Sequence, residues 1–84
     1  MPRYRPVWLE IAAQQYHDLS SEDRHLVDLR LAQLLEHPTA DPGAVYNEPS
    51  DQWSVPLADH GFLVYAVVHD PATVIVLRLI VGLR

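Results

Sequence analysis

Gln52-Trp53-Ser54-Val55-Pro56-Leu57, then Ala58-Asp59-His60-Gly61, then Phe62-Leu63-Val64-Tyr65-Ala66-Val67-Val68 form the first part of the stretch that decides the fold. A second break, His69-Asp70-Pro71-Ala72-Thr73, leads into Val74-Ile75-Val76-Leu77-Arg78-Leu79-Ile80-Val81 and then Gly82-Leu83-Arg84. Three runs rich in branched and aromatic residues, separated by two turn signals, predict an antiparallel meander. The question for function is what lies on the two faces of that sheet.

Working outward toward the N-terminus, Glu48-Pro49-Ser50-Asp51 turns the brief strand Val45-Tyr46-Asn47 into the meander. Thr39–Gly43 is a loop with Pro42-Gly43 as its turn signal. A helix is predicted over about Glu22–Glu36, with Val27, Leu31, Leu34 and Leu35 as its apolar stripe. Ser20 followed by Asp23 resembles a capping box at its start, and His37-Pro38 ends it. Leu26 and Leu29 lie on the opposite side of this helix, with Arg30 nearby, and fit either a self-association surface or a packed corner. A preceding helix over Leu9–Leu19 carries Leu9, Ala12, Ala13, Tyr16 and Leu19 on one side. Tyr4–Trp8 contains Pro6, whose missing N–H suits only an edge strand. The order β-α-α-β-β-β-β predicts an α+β domain spanning 1–84, a helical hairpin packed on one face of a small antiparallel sheet.

Composition bounds the chemistry. Eighty-four residues make one domain with a thin core. There is no cysteine, hence no disulfide, thiolate metal site or cysteine nucleophile. All six basic residues are arginine, against eleven carboxylates, for a net charge of −5. That balance disfavours the phosphate backbone of RNA unless the arginines gather into one patch. The five histidines are scattered, with no metal-ligand spacing, and the serines lack a nucleophile-elbow context. No cofactor is implied. The opening Met1-Pro2-Arg3-Tyr4-Arg5-Pro6 lacks the apolar stretch of a signal peptide, and no run approaches membrane-spanning length. A cytoplasmic protein without a membrane partner is the expectation.

Order and motifs together resemble the RelE/ParE superfamily, the toxin halves of bacterial type II toxin–antitoxin pairs. The resemblance rests on several features of the chain. They are the aromatic-led helix entry (Tyr4, Trp8), the alanine-bearing first helix and the Leu-Leu-Glu-His-Pro closing the second. To these the meander adds Trp53, Gly61-Phe62, Val64-Tyr65-Ala66-Val67 and the ending Val81-Gly82-Leu83-Arg84. The resemblance implies a RelE-like fold, a cognate antitoxin as partner, and roles in plasmid stabilisation or in inhibiting translation on the ribosome. RelE-type ribonucleases hold mRNA phosphates with basic residues on the open sheet face and use a tyrosine near the C-terminus. Carried over, the two basic positions of the strand after the aromatic fall on Ser54 and Pro56. The arginine after the Gly-aromatic turn falls on Phe62 or Leu63, and the arginine closing the last strand is Arg84. The tyrosine would lie beyond Arg84. Most of the expected cations are therefore missing, as in ParE-type members that poison gyrase without ribonuclease residues.

Alternation along the strands places Trp53, Val55, Leu57, Ile75, Leu77, Leu79 and Val81 toward the helices. It places Ser54, Pro56, Phe62, Val64, Ala66, Val74, Val76, Arg78, Ile80 and Arg84 on the open face. Arg78 and Arg84 are the candidate catalytic cations. Arg78 suits a phosphate or a partner's carboxylate, or equally a surface pair with Asp59, Glu48 or Asp70. Ser54, Pro56, Phe62, Val64, Val76 and Ile80 form a mostly apolar candidate partner-binding face, with Leu26 and Leu29 as a second contact. Such a face needs cover by a partner chain, a second copy in a homodimer, or the protein's own terminus.

Overall fold

The computed structural model describes residues 3–82. The elements are β1 (Arg5–Trp8), α1 (Glu10–His17), α2 (Ser21–Leu34), β2 (Val45–Asn47), a short 3₁₀ turn (Glu48–Ser50), β3 (Gln52–Pro56), β4 (Gly61–His69) and β5 (Ala72–Val81). The order is the expected β-α-α-β-β-β-β, and the strands lie side by side as β1-β5-β4-β3-β2. Among the described residues no helix is long and apolar enough to cross a membrane.

Ser20 begins α2 as expected, its Oγ accepting the Asp23 N–H at 3.1 Å. The Asp23 carboxylate does not complete the box. It lies 3.0 Å from His60 Nδ1 and so ties the β3–β4 turn to the start of α2. At the other end of α2, the Tyr4 N–H donates to the Leu35 carbonyl at 2.9 Å, which holds the entry to β1 under the helix.

β2 through β5 pair antiparallel, as the meander predicted. β1 sits at the sheet edge, where Pro6 is tolerated, and pairs parallel with the first half of β5. Parallel pairing follows from topology: the whole chain between β1 and β5 acts as the crossover. After Trp8 the chain leaves the sheet, and the Leu9 N–H still donates to the Val76 carbonyl at 3.1 Å. α1 then runs beside the second half of β5, where the Gln15 Oε1 accepts the Leu79 N–H at 2.7 Å. The helix thereby occupies a strand edge that would otherwise be open to another chain.

The core lies between the helices and one sheet face. Ala12 comes from α1, and Val27, Leu31, Leu34 and Leu35 come from α2. Val55, Leu57, Leu63, Tyr65, Val74, Val76 and Leu79 come from the sheet side. The helix stripe and the β3 face are as the sequence predicted. The first half of β5 is not. Val64 pairs with Arg78 while Tyr65 pairs with Val76, so Leu77 is an extra residue opposite no partner. This β-bulge shifts the alternation by one. Val74 and Val76, expected on the open face, are fully buried beneath the helices, while Ile75 and Leu77, expected in the core, are only half-buried. Leu79 on the far side of the bulge keeps its predicted place.

Polar contacts of Arg30, Asp41 and Tyr65 brace the loop between α2 and β2. Arg30 makes a bidentate pair with Asp41 at 2.6 and 2.8 Å, and its Nε donates to the Pro56 carbonyl at 3.2 Å. Asp41 also accepts the Gly43 N–H at 2.9 Å. The hydrogen bond from Arg30, reinforced by that N–H, holds the Asp41 carboxyl below the usual range. The buried Tyr65 hydroxyl donates to the Pro38 carbonyl at 2.6 Å. Burial, with the Asp41 charge nearby, pushes its phenol up to about 12. Among the described residues no buried side-chain polar atom lacks a partner, as a core of this quality requires.

Candidate functional site on the open sheet face

The face away from the helices carries a shallow concavity of about 290 Å3, walled by Asn47, Ser50, Gln52, Trp53, Ser54, Phe62, Val64, Arg78 and Ile80. Cross-strand register assembles it. Ser54 on β3 pairs with Val64 on β4, and Val64 in turn pairs with Arg78 on β5. Phe62 pairs with Ile80 one step along. Val64 forms the floor and is almost fully buried although no helix covers it. Phe62 and Ile80 rise beside it, 43% and 37% exposed.

The close approach of β4 and β5 at this end depends on Gly61. A Cβ there would lie 1.7 Å from the Ile80 carbonyl oxygen, so any side chain would push the two strands apart. The β2–β3 side is set by aromatic packing. Tyr46, Trp53 and Tyr65 are cross-strand neighbours whose rings follow one another at 4.8 and 6.4 Å. Asp51, in the left-handed region at φ 53°, accepts the Tyr46 hydroxyl at 2.7 Å. That bond holds the Tyr46 phenol above its usual range and pins the 3₁₀ turn, which delivers Ser50 to the concavity.

Of the sequence-predicted residues, Ser54, Phe62, Val64, Arg78 and Ile80 come together here. Pro56 pairs with Phe62 at the margin and is exposed. Val76 is the correction: it lies in the core on the opposite side of the sheet, for the reason of register at Leu77. Leu26 and Leu29 belong to the helix layer, and only Leu29 is widely exposed, at 53%. Arg84 lies outside the described residues. Asn47, Ser50, Gln52 and the edge of Trp53 were not anticipated. The Glu48–Asp51 turn signal marked their neighbourhood, but only its fold-back brings amide and hydroxyl groups to the rim.

Arg78 is the one charged side chain lining the concavity. Among the described residues it has no ion-pair partner, so the surface pairings with Asp59, Glu48 or Asp70 are absent. Arg5 is on β1, paired with Thr73 near the start of β5, far along the strand from Arg78. The concavity thus offers one guanidinium, four neutral hydrogen-bonding side chains and an apolar floor and wall. It is equipped to bind and orient a ligand. None of its lining side chains is a carboxylate, histidine or tyrosine able to move a proton near neutral pH. His60 and His69, the other titratable candidates, are occupied elsewhere: His60 beside Asp23, and His69 with its Nδ1 2.9 Å from the Tyr4 hydroxyl. No group of residues that could hold a metal ion occurs among those described.

No protein-family model and no curated protein matches the sequence. Solved structures match its fold closely. The isolated Escherichia coli RelE toxin superposes with a TM-score of 0.81 at 26% identity, covering 96% of this chain and 86% of that one. A chain of the intact E. coli RelBE toxin–antitoxin complex gives 0.80 at 26% identity, covering 96% and 99%. A RelBE-type toxin–antitoxin complex from Mycobacterium tuberculosis gives 0.79 at 18% identity, covering 95% and 99%. Matched over nearly the whole length at 26% identity, the chain has the fold of the RelE/ParE toxins and resembles them as a divergent relative would.

Proposed function

We propose that the chain is the toxin-type half of a toxin–antitoxin pair, acts in the cytoplasm, and works by gripping a macromolecular partner with its open sheet face rather than by cutting RNA. The observation that carries this reading is the lining of the concavity, where one arginine stands among neutral and apolar side chains. Phosphodiester cleavage needs preorganised positive charge around the scissile phosphate and a route for the proton. A lone guanidinium supplies a single anchoring point. The exposed Phe62–Ile80 pair next to it suits a protein surface with one acidic residue beside an apolar patch. The antitoxin reading is supported by the structural neighbours solved as toxin–antitoxin complexes.

Induced expression in a bacterium tests it. The expected result is growth arrest, relieved by Phe62→Asp or Arg78→Ala, with ribosome-bound mRNA left intact. Normal growth at high soluble yield sinks the toxin reading. Specific mRNA fragments that disappear in Arg78→Ala sink the non-cleaving one. A second reading, self-association through the same face as a homodimer, draws on the exposed Phe62–Ile80 pair. Light scattering distinguishes it, since the wild type would be dimeric and Phe62→Asp monomeric.

A further inference from the structure

The helix layer holds a second pocket, about 420 Å3, on the side of the sheet away from Arg78 and lined by Trp8, Ala13, Tyr16, His17, Asp28 and Leu31. It stands apart from the open-face reading and depends on none of it. Three rings follow one another along its rim. Trp8 and Tyr16 meet edge-on with centroids 5.2 Å apart and planes at 62°. Tyr16 and His17 meet at 5.8 Å and 77°. The Tyr16 hydroxyl donates to Asp28 Oδ1 at 2.7 Å.

Those contacts decide what kind of ligand the pocket suits. The Tyr16 O–H is already given to Asp28, so its donor is spent. Besides the His17 ring, what the pocket still presents is electron-rich: the aromatic rings of Trp8 and Tyr16, and Asp28 Oδ2, which has no hydrogen-bond partner among the described residues. The hydrogen bond to Asp28 holds the Tyr16 phenol above its usual range, so the ring stays neutral beside its carboxylate. Ala13 and the buried Leu31 supply an apolar base for a methylene stem. Rings set near right angles around a carboxylate recognise a cation, and among cations a planar one that stacks on a ring while forking onto an oxygen pair. The nearest cation of the chain itself is Arg24, one turn before Asp28 on α2. It forms neither an ion pair nor a hydrogen bond among the described residues, although its charge reaches Tyr16, so Asp28 Oδ2 keeps its hydrogen-bonding capacity for a second guanidinium. The chain as a whole is acidic, at −5, which favours a basic partner segment.

We propose that this pocket receives an arginine side chain presented by a partner protein. The guanidinium lies flat on one of the two rings, Trp8 or Tyr16, with the other edge-on beside it, and bonds Asp28, with its stem over Ala13 and Leu31. The test is a two-dimensional NMR titration of the intact chain with N-acetyl-arginine N-methylamide. Its uncharged citrulline counterpart is the control. The expected result is saturable shifts at the Trp8 indole, Tyr16 and His17 with the arginine compound only. Asp28→Asn keeps an acceptor for the Tyr16 hydroxyl and lies on the surface, so the fold survives. It should weaken binding roughly three- to tenfold. Arg24→Gln removes the nearest like charge and should strengthen it. The proposal is overturned by equal shifts with citrulline, by shifts confined to the Phe62–Arg78 face, by no saturable shift, or by Asp28→Asn binding as well as the wild type.

Discussion

The two faces of this sheet are built from similar residues and end in opposite conditions. Beneath the helices, Val55, Leu63, Tyr65, Val74 and Val76 are fully buried, and the Tyr65 hydroxyl there has its partner. Across the same strands, Phe62 and Ile80 stand in solvent around a single arginine. The helix face is consumed by folding: its side chains are what make the fold stable. On the open face Val64 is buried, while Phe62 and Ile80 keep much of their surface in water, so less of their chemistry is used by folding.

The largest expected effect breaks the helix face. Leu34→Ala leaves a cavity at a fully buried position and should cost about 2–5 kcal/mol in urea unfolding, a large share of the stability of a small domain. Asp41→Asn should cost about 1–3 kcal/mol at neutral pH, because the Arg30 guanidinium loses its charged partner. The folded Asp41 carboxyl is held below its ordinary value. Its contribution is therefore present above about pH 4 and disappears as the pH falls through the lowered folded value. Unfolding curves of wild type and Asp41→Asn should converge in acid; a constant gap would refute the pairing. Tyr65→Phe should cost about 1 kcal/mol through the unsatisfied Pro38 carbonyl. With the phenol raised to about 12, the wild type keeps this contribution below pH 10 and loses it as the pH rises toward 12. The phenylalanine variant should lack that alkaline loss. The smallest effect sharpens the contrast: Phe62→Ser and Ile80→Ser should change stability by no more than about 0.5 kcal/mol. The same two changes should abolish growth arrest, a separation that core residues cannot show.

Much of this architecture was legible in the chain. The β3 face, the α2 stripe and the edge position of β1 follow from period and from Pro6, because the side-chain repeat of each element is local. The candidate face was half legible: Ser54, Phe62, Val64, Arg78 and Ile80 fall on it by alternation. Val76 was misplaced because alternation carried through Leu77 assumes an unbroken ladder, and a bulge shows only when a strand meets its partner. Ser50, Asn47 and Gln52 were missed because a turn signal gives the position of a reversal and not the direction in which it folds. The pocket of Trp8, Tyr16 and Asp28 joins three separate elements, and no local pattern announces it.

By itself, then, the sequence determined the kinds of elements, their order, the acidic balance and the restriction of its basic residues to six arginines. These are properties of residue type and spacing, and they hold before the chain folds. Only the tertiary structure decided which residues of the first half of β5 face the helices, that the Asp23 carboxylate serves His60 rather than its own helix cap, and that Arg78 has no ion-pair partner among the described residues. Each of those depends on contacts between residues distant in the chain, where packing and register, not local preference, select the outcome.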